Sequence, residues 1–236
     1  MAKIDAGKYG YIRSGNETSF SDARTNGVSA VNQPTASNTE MAQFFRDSGK
    51  GGTVYKIQRF FCAFDTSSYS SGYTISNLTF NWRNTTSTTC TPTVCFPQFI
   101  IVKSTAQGSA DTNLSTGDFY SDVDFSTAYS SSANLTSSSA DATINLNATA
   151  VTAFGTGLLK IVVVQYGNDY SNSSGTSDLQ QRMYGDFDSS NVGYVPYIEF
   201  TATASGYDND VIGVSSSNIN SVVTVAAGDI SNIIGV

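Results

Sequence analysis

Apolar residues are sparse along the first fifty positions and then gather into short bursts separated by Ser, Thr, Asn and Gly. The first strong burst is Val54–Phe64, VYKIQRFFCAF. In an extended chain, Tyr55, Ile57, Phe61 and Ala63 fall on one face and Val54, Phe60, Cys62 and Phe64 on the other. A strand apolar on both faces is covered on both sides. Leu78, Phe80 and Trp82 alternate with polar residues, as in a half-buried strand. Val94–Val102 reads as another strand, with Pro97 marking an edge or a bulge. Ala142–Asn147 alternates around Ile144 and Leu146, and Leu158–Tyr166, LLKIVVVQY, predicts a central strand broken only by Lys160 and Gln165. Leu179–Tyr184 and Tyr194–Thr203 close the series.

Between these bursts the signals are weaker. A short strand is expected at Gly27–Asn32, a helical turn at Thr39–Phe45 and a further helical turn at Ala148–Phe154. Asn84–Thr93 reads as a Thr-rich loop. Ser104–Ser139 reads as loops crossing one end of the fold, with a short strand or two, anchored by Phe119, Tyr120, Val123, Phe125 and Tyr129. Strands at this spacing, joined by small polar residues, predict an all-β antiparallel β-sandwich, jelly-roll-like, with a short repetitive C-terminal tail. The chain divides into a polar N-terminal segment 1–50 (an arm or the first strands), a sandwich 51–205 and a tail 206–236.

The tail carries a repeat. Val211-Ile-Gly-Val214, Val222-Val-Thr-Val225 and Ile233-Ile-Gly-Val236 recur every 11 residues, and Asn218-Ile219 and Asp229-Ile230 recur at the same offset. Short strands fit the Val/Ile/Thr content, and the spacing Ile219/Val222/Val223 also fits one helical turn. In either form so short a segment cannot build a core of its own. The anchoring or oligomerising positions are therefore Ile212, Val214, Ile219, Val222, Val223, Val225, Ile230, Ile233, Ile234 and Val236.

Composition narrows the chemistry. The chain has 236 residues, 12 Lys+Arg, 19 Asp+Glu and a net charge of −7, which disfavours nucleic-acid binding. It has no histidine, so a Ser-His-Asp triad, a Cys-His pair and histidine metal ligands are excluded. No run of 18 apolar residues predicts a membrane helix, and the start MAKIDAGKYG lacks the apolar region of a secretory signal. Synthesis in a reducing cytosol then predicts three free thiols at Cys62, Cys90 and Cys95, although a Cys90–Cys95 disulfide is geometrically open to the chain.

Individual residues point mostly to structure. Arg59 interrupts an apolar face and is expected to pair with a carboxylate or with loop carbonyls. Asp118, Asp122 and Asp124, the pair Asp186 and Asp188, and the pair Asp208 and Asp210 have the spacing of calcium ligands, but none makes a full EF-hand loop, and Asp favours turns for local reasons. No metal or cofactor is assigned. Glu199 is one of only three Glu residues and reads as a solvent-facing strand residue, so no acid/base constellation supports an enzyme. Tyr166, Tyr170, Tyr184 and Tyr194 near loop ends read first as core and rim packing, and second as stacking platforms for sugars.

Arg59-Phe-Phe-Cys-Ala-Phe-Asp65-Thr-Ser67, followed by Ile75 and Leu78, and the closing Pro196-Tyr-Ile-Glu-Phe-Thr201 resemble the DNRLRE-type, carbohydrate-binding-module-like β-sandwich. Gly117-Asp-Phe119, Ile144-Asn-Leu-Asn-Ala-Thr149 and Gly167-Asn-Asp-Tyr170 resemble a variant of it found in bacteriophage virion or tail proteins. The tail resembles the "Asn-Ile-x-x-Val-x-Gly-Val" repeats that end many phage structural proteins. The literal Asp-Asn-Arg-Leu-Arg-Glu segment is absent. The resemblance implies a non-enzymatic virion structural protein: a capsid decoration, knob, head-fibre or tail-fibre component. It would be a homo-oligomer held through the tail, in contact with other virion proteins of the capsid or tail and located in the virion. The alternative is a carbohydrate-binding module that recognises a host surface glycan.

Overall fold

The computed structural model describes residues 1–91, 97–136, 139–188 and 194–205, with the backbone of Ser221–Val222 and Val225–Ala226. The strands, in chain order, are β1 (Ala2–Asp5), β2 (Lys8–Ser14), β3 (Gly27–Asn32), β4 (Thr39–Asp47), β5 (Val54–Asp65), β6 (Tyr73–Arg83), β7 (Thr89–Thr91) and β8 (Gln98–Ser104). They continue as β9 (Val123–Ala128), β10 (Ala133–Asn134), β11 (Asp141–Asn145), β12 (Leu158–Gln165), β13 (Leu179–Gly185), β14 (Tyr197–Ala204), β15 (Ser221–Val222) and β16 (Val225–Ala226). The helices are short: α1 (Phe20–Thr25), α2 (Asp118–Ser121) and α3 (Ala148–Phe154).

Two antiparallel sheets pack face to face. The smaller runs β1-β14-β6-β11. The larger runs β10-β8-β12-β5-β4-β13-β7, with β2 joining β5 to β3 and β9 lying beside β8. The molecule is therefore an all-β antiparallel sandwich. Residues 1–50 belong to it: β1 is an edge of the small sheet, and β2, β3 and β4 are strands of the large one.

β5 shows why its sequence is apolar on both faces. Phe60, Cys62 and Phe64 point into the core between the sheets, with Phe80, Trp82, Ile198 and Phe200 of the small sheet. Ile57 and Phe61 point the other way, into a second core with Ile12, Phe44, Phe119, Val162 and Val164. That second core is closed by α1, α2 and the loops around them. β5 pairs with β2 along one edge and is long enough to serve two neighbours along the other, β12 through Phe60–Asp65 and β4 through Val54–Gln58. The seam where β12 and β4 part is filled by glutamine side chains. Gln58 Nε2 donates to the carbonyls of Glu40 and Met41, Gln165 Nε2 donates to Gln181 Oε1 at 2.8 Å, and Gln181 Oε1 also accepts from Gln98 N at 3.0 Å. Buried amides of this kind are tolerated because their groups are paired.

Several expectations need correction. The helical turn expected over Thr39–Phe45 is the strand β4, paired on one side with β5 and on the other with β13. Met41 has no opposite residue between the pairs Glu40↔Tyr184 and Ala42↔Met183. This bulge sends the consecutive Met41 and Ala42 into the same core and erases the period of two. The Thr-rich loop after Asn84 contains β7, which pairs with β13. β8 begins at Gln98, after Pro97; positions 94–96 of the strand expected there lie outside the described residues. Cys62 is a free, buried thiol, whose pKa burial pushes well up, but Cys90 is disulfide-bonded, against the expectation of three free thiols. Cys95 lies outside the described residues.

Candidate functional site

The most polar feature inside the molecule is the pairing of Arg59 with Asp169. Both side chains are 0% exposed. Arg59 Nε donates to Asp169 Oδ2 and Nη2 to Oδ1, each at 2.7 Å, in a two-pronged ion pair. Nη2 also reaches Arg24 O at 3.0 Å, Nη1 donates to Phe119 O, and the guanidinium lies 4.3 Å from the centre of the Phe119 ring. Asp169 sits in a wide helical turn, Tyr166–Tyr170, whose first amides are capped by Gln165: its Oε1 accepts from Asn168 N at 2.7 Å and Asp169 N at 3.2 Å. Arg24 at the end of α1 donates from Nε to Asp169 O at 3.0 Å and covers the Phe125 ring at 4.3 Å. One guanidinium thus ties α1, α2 and the turn after β12 to the outer face of the large sheet. Arg59 has the structural role its position predicts. Three segments singled out in the sequence, around Arg59, Phe119 and Asp169, meet at this point.

The surface carries a groove of about 410 Å³ where β8 ends, β12 begins and α3 crosses. Threonines 149, 152 and 156 line it from α3 and the residues after it. Thr105 and Thr127 line it from the β8 and β9 side, and Lys103 and Lys160 add two ammonium groups. α3 forms there because Asn147 caps it, its side chain accepting from Ala150 N at 3.1 Å, and because Ala150 and Phe154 bury into the inter-sheet core. Lys160 Nζ donates to Thr105 O at 2.9 Å. Its pKa is lowered, chiefly by burial, with Asp122 opposing and Lys103 adding to the effect. Tyr129 at the floor is 3% exposed, and burial raises its pKa. Such a surface sets hydroxyl and ammonium groups around a mainly apolar lining, a mix that suits a ligand with hydroxyl groups on a carbon ring.

The Asp clusters are occupied with turn chemistry. Asp118 Oδ2 accepts from Ser115 N at 2.7 Å, Asp122 Oδ1 from Thr105 Oγ1 at 2.7 Å, and Asp124 Oδ1 from Ser126 Oγ at 2.6 Å and Ser126 N at 3.0 Å. Asp186 Oδ1 accepts from Asp188 N at 3.1 Å, and Asp208 and Asp210 lie outside the described residues. Among the described residues no three metal-ligating side chains come together.

The tyrosines are spread around the molecule rather than gathered. Tyr166 and Tyr170 stack on each other at 5.6 Å beside the Arg59 centre. Tyr184 donates to Glu40 Oε2 at 3.2 Å, and Arg83 lies 5.5 Å from the Tyr194 ring. Glu199 is partly exposed on β14, opposite Lys3 and Thr79.

Of the tail positions, Val222 and Val225 are register partners in the short antiparallel pair of β15 with β16, so the run Val222–Val225 is not one continuous strand. Ile212, Val214, Ile219, Val223, Ile230, Ile233, Ile234 and Val236 lie outside the described residues. The groove itself has no motif. Its one trace in the sequence is the pair of lysines that interrupt otherwise apolar strands, Lys103 in β8 and Lys160 in β12. No protein-family model matches the chain, and no curated protein aligns with it significantly.

Proposed function

We propose that this chain is a non-enzymatic bacteriophage virion structural protein, displayed on the particle as a capsid decoration, knob, head-fibre or tail-fibre component. It attaches to capsid or tail proteins, or to sister copies, through Val211–Val236. The observation that carries this reading is the two cores that the described residues of 2–205 build, followed in the sequence by a tail with an apolar repeat. A segment that short gains stability only by docking on something larger. The disulfide at Cys90 supports a working life outside a reducing cytosol. Ile212→Asp or Ile234→Asp should abolish incorporation into particles while the unfolding midpoint of the sandwich stays within about 0.5 kcal/mol of the parent. Normal incorporation of both variants would overturn the anchoring role.

A second reading, recognition of a host surface glycan, draws on the groove between α3 and the ends of β8 and β12, with its threonines and lysines. It predicts saturable binding on a glycan array, and a blank array with and without calcium would count against it.

A further inference from the structure

The groove's polar groups are unequally satisfied. Both carboxylates beside it are committed to neighbouring hydroxyls. Asp124 Oδ1 and Oδ2 accept from Ser126 and Thr127, and hydrogen bonds from these two residues hold its pKa below the usual carboxylate range. Asp122 Oδ1 accepts from Thr105 at 2.7 Å and Oδ2 from Ser121 at 3.1 Å. Each ammonium group has one partner, Lys103 a long ion pair with Asp124 and Lys160 the carbonyl of Thr105, which leaves N–H groups over for a ligand. Lys103 Nζ comes no closer than 3.9 Å to Asp124 Oδ2, beyond hydrogen-bond distance, and makes no hydrogen bond among the described residues. Lys160 spends one of its three N–H groups on Thr105 O and makes no hydrogen bond to a carboxylate among the described residues. The hydroxyls of Thr152 and Thr156 donate back to Ala148 O and Ala153 O, so toward a ligand they act as acceptors.

The groove therefore offers charged donors for an acid and neutral acceptors for alcohols, in a volume of about 410 Å³ that suits one or two sugar units. From this inventory we infer that the groove binds a carboxylate-bearing saccharide, its acid group between Lys103 and Lys160 and its hydroxyls against the threonines of α3 and the turn after it. The inference rests on the glycan reading and narrows it to acidic sugars. A neutral sugar offers the two ammonium groups no charge partner, and lipids or apolar peptides would leave the hydroxyls unmatched as well. Tyr129 is too buried to stack on a ring, so affinity would come from charge and hydrogen bonds and fall as salt rises.

The test is a two-dimensional NMR titration of the full chain with trigalacturonate and N-acetylneuraminate, each beside its methyl ester, which keeps the hydroxyls and removes the charge. The expected result is that at least one free acid shifts the amides of Thr105, Thr149 and Thr152, that its ester binds at least tenfold more weakly, and that Lys160→Met and Lys103→Met each weaken the acid at least fivefold with unchanged spectra elsewhere. Equal binding of acid and ester would overturn the charge assignment but leave a glycan site. Shifts that survive both lysine substitutions would overturn the location. No shift with any of the four probes at 10-fold excess over about 1 mM protein would overturn the inference. The array decides the broader glycan reading separately, since its neutral glycans do not depend on the lysines.

Discussion

The two sides of the large sheet are sealed by different means. Toward the small sheet, Phe60, Phe64, Phe80, Trp82, Phe154 and Phe200 interlock with aliphatic residues, all fully buried. Toward the outside, among the described residues, the cover is two short helices and loops, and the apolar residues there are joined by the buried Arg59–Asp169 pair. A sheet covers its neighbour with a regular array of side chains and satisfies its own backbone. Loops bring unpaired carbonyls, and Arg59 takes up those of Arg24 and Phe119. The outer core therefore depends on a charge network where the inner one depends on packing alone.

This contrast is sharpest when each side loses one member. Asp169→Ala strands a buried guanidinium and should cost about 3–5 kcal/mol in urea unfolding. Phe80→Ala should cost a similar amount, about 3–5 kcal/mol, through the cavity it leaves. The two differ in rescue. Arg59→Met combined with Asp169→Leu should recover much of the loss, because it removes both charges together. If the double variant is as unstable as the sum of its singles, the outer core is not held by an ion pair in the sense argued here.

The glutamine seam comes next. Gln181→Leu removes the acceptor of Gln98 N–H and of Gln165 Nε2 and should cost about 1–3 kcal/mol, read as a lower urea midpoint with unchanged slope.

Acid should act on the surface turns before it reaches either core. The pKa values of Asp65, Asp124 and Asp178 are lowered, first by hydrogen bonds from Ser67, Ser126 and Ser48 respectively. A lowered folded-state pKa means stability that is fully present above the unfolded value near 3.8 and is lost as pH falls through the folded value. With no histidine, thermal stability should be flat from about pH 5 to 8 and decline only below about pH 4. A marked fall between pH 7 and 5 would contradict this. The smallest effect is expected at Trp82, whose buried Nε1 has no hydrogen-bond partner among the described residues. Trp82→Phe removes that orphan donor along with some packing and should change stability by no more than about 1 kcal/mol, by urea unfolding.

The same contrast explains what could be read from the sequence. β5 and β12 were legible because strands buried by their neighbours become continuous runs of Val, Ile and Phe. β6 was legible because Leu78, Phe80 and Trp82 face one core and alternate with polar residues, of which Thr79 and Arg83 are partly exposed and Asn81 is buried but paired with Thr79 and Thr143. β4 was hidden by its bulge, which breaks the period at Met41. Arg59 announced itself as a charge in an apolar run, but its partner lies 110 residues away in a polar turn with no pattern of its own. The groove was illegible for the same reason. It is assembled from the end of β8, the start of β12 and α3, which only the folded sheet brings together. The tail's repeat was plain in the sequence, and the proposed function makes its role independent of the sandwich's fold.

That independence is the central claim, and mass and stability measured together test it most directly. Light scattering and thermal unfolding would be run on the full chain and on a chain ending at Ser205. The account predicts that the full chain is a discrete oligomer, and that the shortened chain is a monomer whose sandwich unfolds cooperatively at nearly the same temperature. A shortened chain that keeps the same oligomeric mass, or that no longer folds, would contradict it.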